Sequence, residues 1–266
     1  MRGKDVWLLA IRPRTLPAAL APVIVGTAAA MADNGFRGLP ALAALAGSLL
    51  LTIGVNLAND YFDYIKGVDS SDRLGPMRVT QSGLISPDRV KAAMMITFGL
   101  AVVVGSYLVF IGGWPILAVG TASIAAALAY SGGPYPLGSH GLGDLLVFIF
   151  FGMIAVGGTY YVQTLDYHLR AFLTAVPIGL LITAILVVNN LRDIETDRRA
   201  GKRTLAVILN KRGAKIEYVC LLAGAYITPP VLLASGLLSA FSLLPILSLP
   251  MALPLSAAFF IRRDRY

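Results

Sequence analysis

Two acidic clusters carry the chemistry that this sequence can perform, and each stands where a long apolar stretch ends. The first reads N-L-A-N-D-Y-F-D from Asn56 to Asp63, and the second reads N-N-L-R-D-I-E-T-D from Asn189 to Asp197. Carboxylates are the costliest side chains to place beside hydrocarbon, so two such clusters require a functional reason. With about 3.6 residues per helical turn, Asn56, Asp60 and Asp63 share one face, as do Asn190, Asp193 and Asp197. Asn59 adds a further amide to the first end. Magnesium takes oxygen ligands, commonly one or two carboxylates with water and substrate phosphate completing the shell. Two opposed faces of this kind can therefore hold Mg2+ against a diphosphate.

Basic residues follow each cluster: Lys66, Arg73 and Arg78 after the first, Lys202 and Arg203 after the second. A diphosphate uses both kinds of partner, metal on some oxygens and cationic donors on others. The plainer readings are that the basic residues only follow the charge asymmetry of membrane loops and that the acids are solvated at helix ends.

The elements that must position these groups are membrane helices. Hydrophobic residues make up 57% of the 266, charged residues only 14%, and mean hydropathy is +0.75, all outside the range of an ordinary soluble domain. Segments long enough to cross about 30 Å of hydrocarbon are expected at 16–32, 40–58, 90–111, 114–131, 142–163, 171–190, 216–236 and 237–261. The expected fold is therefore all-α, a polytopic bundle of about eight spans forming one domain over 1–266. The two clusters end matching helices, which is consistent with duplicated four-helix halves in parallel orientation. Arg12, Pro13 and Arg14 interrupt the amino-terminal apolar run, which is unlike a cleavable signal peptide.

Of the 22 Lys and Arg residues, all but Arg37 and Arg170 fall on the side that carries both clusters. By the positive-inside rule that side faces the cytoplasm, in a cell membrane, and the +8 net charge reflects the lipid bilayer rather than a nucleic-acid partner. The two long loops, 59–88 and 192–215, lie there as well and are candidate lids or binding elements. No phosphate-binding loop of the nucleotide-hydrolase type is present, and the lone Cys220 forms no internal disulfide. His140 and His168 are isolated and read as interfacial residues. Ring faces of Tyr130 or Tyr160 could shield a carbocation, although aromatic residues at these positions more often pack or anchor at the membrane interface. Arg14 is the candidate cation for an acceptor carboxylate.

With these residues in view, the chain resembles the UbiA superfamily of intramembrane prenyltransferases. Within it, the resemblance is to the branch that prenylates 1,4-dihydroxy-2-naphthoate in menaquinone biosynthesis. It rests on R-P-R-T-L-P at Arg12, N-D-Y-F-D at Asn59, G-P-M-R-V-T-Q-S-G at Gly75, S-G-G-P-Y-P at Ser131, G-L-G-D at Gly141, G-T-Y-Y-V-Q at Gly158 and the second cluster. It implies that Asp60, Asp63, Asp193 and Asp197 bind the magnesium diphosphate, and that the substrates are a polyprenyl diphosphate and an aromatic acid. It also implies nine helices where eight spans are expected here. The superfamily's fuller first motif would place an Asp at 67, where this chain has Gly67 and then Asp69. The Tyr and Lys pair of the hydroxybenzoate branch is missing after Tyr130. Other acceptors (homogentisate, haem, chlorophyllide, a sugar phosphate) are the alternatives within the superfamily. A secondary transporter is the alternative outside it, but that would place its ionisable groups nearer mid-membrane.

Overall fold

The structure, a computed structural model, describes residues 3–68 and 75–262; Asp69 and Arg73 lie outside the described residues. Eleven α-helices are assigned among them, and no strand. A short helix α1 (Gly3–Ile11) leads through a 3-10 turn, Pro13–Thr15, into α2 (Pro17–Ala32). Pro17 starts α2 because proline lacks the N–H that a first turn leaves unused. Asp5–Thr15 and Pro17–Ala32 meet at a bend of 47°. The long α3 (Gly38–Ile65) carries the first acidic cluster in its last turns. It packs most extensively against α4 (Pro87–Gly112) and also against α5 (Trp114–Ser131).

A single apolar run from Gly143 to Thr164 is helical throughout but changes pitch twice: α6 (Gly143–Val147), a π-helical stretch Phe148–Ile154, then α7 (Ala155–Thr164). Such wide turns open the i→i−4 ladder and tend to occur at functional sites. Here Gly152 meets α8 (Leu169–Arg192) so closely that a Cβ on it would lie 2.7 Å from the Gly179 Cα. Small residues at such crossings are how helices pack when lipid is as apolar as their side chains. α8 ends at the second cluster, followed by the short α9 (Ile194–Arg199) and by α10 (Leu205–Ala234), which packs along α8. α11 (Leu249–Arg262) follows a 3-10 stretch, Ala240–Ser248.

Among the described residues, six helices are each long and apolar enough to cross a membrane alone, and the bent amino-terminal pair makes a seventh. Phe110, Trp114 and Val103 stand largely exposed, an apolar surface suited to lipid rather than water. The chain is a multi-pass integral membrane protein. Two boundaries differ from expectation. The span expected at 237–261 is not one α-helix: Pro245 and Pro254 remove ladder donors, and the first half tightens to 3-10 geometry. The loop expected at 192–215 is largely helical, because the charged start of α10 (Lys211, Arg212, Lys215) reads as loop in hydropathy yet continues the helix beyond the apolar core. Asn210, at φ 61°, separates the apolar first turns of α10, residues 205–209, from this charged stretch.

Both acidic helix ends lie on one side of the bundle. Lys202, after the second cluster, reaches Asp63 of the first at 3.2 Å, and Lys66 donates to the Ser131 carbonyl at the end of α5. The opposite end gathers the α2–α3 turn and the end of α7, where the Arg37 N–H donates to Gln163.

Candidate active site

The last two turns of α3 turn their polar face inward. Asn56, Asp60 and Asp63 are all buried, as the helical spacing predicts, while Asn59 points toward α5 and accepts from the Ser131 hydroxyl. Asp60 accepts one backbone N–H on each oxygen, from Val79 and from Thr80, both at 3.0 Å. The segment G-P-M-R-V-T-Q-S-G is thus folded onto α3 by its own main chain. Asp63 takes Arg78 from that segment at 2.9 Å and Lys202 from the second loop at 3.2 Å. One carboxylate therefore ties together the two loops that follow the two clusters.

At the end of α8, Asp193 is buried and held by both faces of Arg192, with Nε at 2.8 Å and Nη2 at 2.7 Å. The remaining Arg192 nitrogen donates to Asn189 at 3.1 Å. A bidentate guanidinium fixes both position and plane of the carboxylate. Asp197, half-buried on α9, accepts the Lys202 N–H on its main-chain oxygen. Partial burial lowers the Lys66 ammonium below its ordinary value, against the pull of Asp63 and with the help of Lys202. Lysines and arginines of both loops are therefore crowded around acidic groups at one mouth.

A partly open cavity of about 910 Å³ lies between α2, α3, α4, α5 and the Gly143–Thr164 helix and reaches Asn59, the residue before Asp60. Asn59 and Tyr130 line the end nearest the first acidic cluster, and the rest is mostly apolar, with Val55, Leu108, Phe151 and Val162 among its walls. An anion-handling rim above a long apolar hollow suits an amphiphile with a phosphorylated head and a hydrocarbon tail.

The sequence-derived residues do not all meet there. Tyr160 lies at the other end of the bundle, 1% exposed, donating to Asp33 at 2.8 Å, so it does not join the rim. Asn56 is a brace rather than a diphosphate donor in this arrangement: its amide donates to the Ile11 carbonyl and to the Thr15 hydroxyl, both at 2.9 Å. It thereby secures the R-P-R-T turn, on which Arg14 is exposed at the same end of the bundle. The Arg203 side chain is exposed and its backbone N–H donates to Ser139. Asn190 is half-buried near the end of α8 and makes none of the contacts that join the rim. His140 stacks on Tyr135 and bonds the Pro136 carbonyl, a packing role. Arg192 and Ser131 are rim residues that spacing alone did not single out; the R-D pair in the second motif and the S-G-G-P turn were the available signals.

Magnesium fits this donor set in chemistry. Four carboxylates on two helix ends offer hard oxygen, and the buried Thr80 hydroxyl beside them has no partner among the described residues. Among those residues no three of His, Cys, Asp and Glu converge on one point, so a metal here relies on one or two carboxylates from a cluster with phosphate oxygens completing its shell.

The profile of the UbiA prenyltransferase family matches residues 19–266. The 1,4-dihydroxy-2-naphthoate octaprenyltransferase of Escherichia coli is 44% identical over 232 residues, covering 84% of this chain and 74% of that protein. The enzyme of the same name from Mycobacterium tuberculosis is 45% identical over 227 residues, 85% of this chain and 77% of that one. A solved UbiA homolog from Archaeoglobus fulgidus, bound to GPP and Mg2+, superposes with a TM-score of 0.70 over 98% of this chain and 88% of that chain, at 15% identity, which speaks for the fold alone. A profile match over nearly the whole chain, close relatives over most of it and a shared helical architecture place this protein in the UbiA prenyltransferase family.

Proposed function

We propose that this chain transfers a polyprenyl group from a polyprenyl diphosphate to 1,4-dihydroxy-2-naphthoate, with loss of the carboxyl group as CO2, the prenylation step of menaquinone synthesis. The observation that carries the reading is the joining of Arg78 and Lys202 on Asp63 at the mouth of a long apolar cavity. Arg78, Lys202 and Lys66 would bind the departing diphosphate and take up the charge that develops as the allylic C–O bond breaks. Asp60 and Asp63 at one helix end, and Asp193 and Asp197 at the other, would each offer one or two carboxylates to magnesium, which would neutralise that leaving group when bound. The apolar walls hold the isoprenoid tail and keep water from the allylic cation. Arg192 orients Asp193, and the segment folded over Asp60 closes the rim. Arg14, exposed at the same end, would meet the acceptor's carboxylate.

The choice of naphthoate follows the names of the relatives at 44% and 45% identity, since a diphosphate rim alone would serve any acceptor. Equal concentrations of 1,4-dihydroxy-2-naphthoate and 4-hydroxybenzoate, offered with one prenyl diphosphate, should give prenylated naphthoate. Predominant prenylation of the benzoate overturns the acceptor while leaving the diphosphate chemistry intact.

The same reading places the rim at the cytoplasmic face of the cell membrane, because Arg37 and Arg170 are the only basic residues assigned to the other side. In a Cys220→Ser background, Ala200→Cys should react with an impermeant maleimide only in inverted vesicles, and Phe36→Cys only in intact cells. Labelling of both from one side rules out this orientation.

A further inference from the structure

Below the rim lies a second pair of acids that the diphosphate chemistry leaves unused. Asp144, in the first turn of α6, is 5% exposed, and neither carboxylate oxygen has a partner among the described residues beyond its own backbone N–H. Glu217 of α10 carries a buried Oε2 that is also unpartnered among them. Unpaired buried carboxylate oxygens are rare, because each forfeits water without replacement. The arrangement therefore calls for a role.

Tyr130 links the pair to the cavity. A Cβ on Gly143 would sit 3.1 Å from the Tyr130 hydroxyl, and a Cβ on Gly138 would sit 2.7 Å from its ring. Two glycines thus leave room for the ring and bring its oxygen to the start of α6, one residue from Asp144. Tyr130 lines the cavity, as do Leu146 and Val147 in the turn after Asp144. Asp63 is already occupied by Arg78 and Lys202, and Asp193 by Arg192, which leaves Asp144 as the carboxylate with lone pairs to spare.

We propose that Tyr130 receives the ring-hydroxyl proton of the aromatic acceptor and passes its own to Asp144. The inference rests on the prenyl transfer proposed above. As a ring carbon bonds to the allylic carbon, the allylic C–O bond breaks and its electron pair leaves on diphosphate. The acceptor's O–H bond breaks in the same step; its electrons form a ring carbonyl and its proton moves through the Tyr130 hydroxyl to Asp144. Loss of CO2 leaves its bonding pair in the ring, aromaticity returns, and the proton on Asp144 goes back through Tyr130 to the product. Tyr130 is the catalytic residue of this relay, and Asp144 acts through it.

The test is steady-state kinetics of purified Asp144→Asn, Asp144→Glu, Tyr130→Phe and the Asp144→Asn/Tyr130→Phe double variant. General acid–base groups contribute on the order of 100-fold to 10,000-fold. In Asp144→Asn, kcat should fall on the order of a hundredfold with KM for both substrates unchanged, and Asp144→Glu should recover part of it. Tyr130→Phe should fall by a similar factor and the double variant by no more, since members of one relay are not additive. A kcat within threefold of wild type in Asp144→Asn, a loss that appears in the KM for prenyl diphosphate, or multiplied losses in the double variant overturns the relay. Should Asp144→Asn not fold, Tyr130→Phe decides alone: a kcat within threefold of wild type overturns the proposal, and a hundredfold fall at unchanged KM upholds it. Wild-type product formation in the same assay tests the acceptor assignment separately from these ratios.

Discussion

Asp60→Asn and Asp193→Asn are each expected to reduce prenyl transfer on the order of a hundredfold or more, the scale seen when a group that stabilises developing charge is removed. The physical cause differs between the two. Asp60 has an N–H on each oxygen, so asparagine keeps one acceptor and turns an NH2 toward a backbone N–H; the segment from Gly75 to Gly83 loses its hold on α3, and the proposed magnesium site loses a carboxylate. Asp193 neutralises Arg192 through two short bonds, and asparagine leaves that guanidinium partly unpaired at the end of α8. Turnover at limiting magnesium is the measurement, with thermal melting in detergent to separate chemistry from folding. Near-normal turnover in both variants would remove the acidic helix ends from the mechanism.

Gly158→Phe should shorten the chain that the enzyme accepts. Gly158 lines the cavity on α7, and a Cβ there meets no atom within 4 Å, so a phenyl ring grows into open space instead of into a neighbour. The residue is well along the helix that starts beside Tyr130, far from the rim, and the ring therefore blocks the tail and spares the head. Burial of hydrocarbon contributes about 0.8 kcal/mol per CH2, so exclusion of one five-carbon isoprene unit costs about 4 kcal/mol before the walls relax. With partial relaxation, kcat/KM for a long polyprenyl diphosphate should fall on the order of a hundredfold, while dimethylallyl diphosphate is used at nearly the wild-type rate. Equal losses for both donors would show that the tail does not lie along α7.

Much of the architecture was legible in the residues alone because membrane helices obey a one-dimensional rule: long apolar runs must span, and their polar ends must leave the hydrocarbon. The burial of Asn56, Asp60 and Asp63 together followed from helical spacing. The boundaries that misled were those where hydropathy and helicity part company. The charged start of α10 is helical without being apolar, and the proline-interrupted segment after Ala234 is apolar without being one α-helix. Tyr160 misled in another way, since an aromatic in a resemblance motif carries no sign of which end of the bundle it occupies. Its hydroxyl is spent on Asp33.

Residue type, spacing and charge asymmetry can be read along the chain, and they were enough for the membrane-spanning all-α class, the two acidic helix ends and their common side. Which cation meets which carboxylate emerged from the folded arrangement. Asp63 and Lys202 are separated by 139 positions, and Arg78 reaches the same oxygen from a third segment. It also showed that Asn56 braces the amino-terminal turn and that Asp144 is buried with idle oxygens beside Tyr130. Partnership and burial depend on how distant helices cross, which no local pattern encodes.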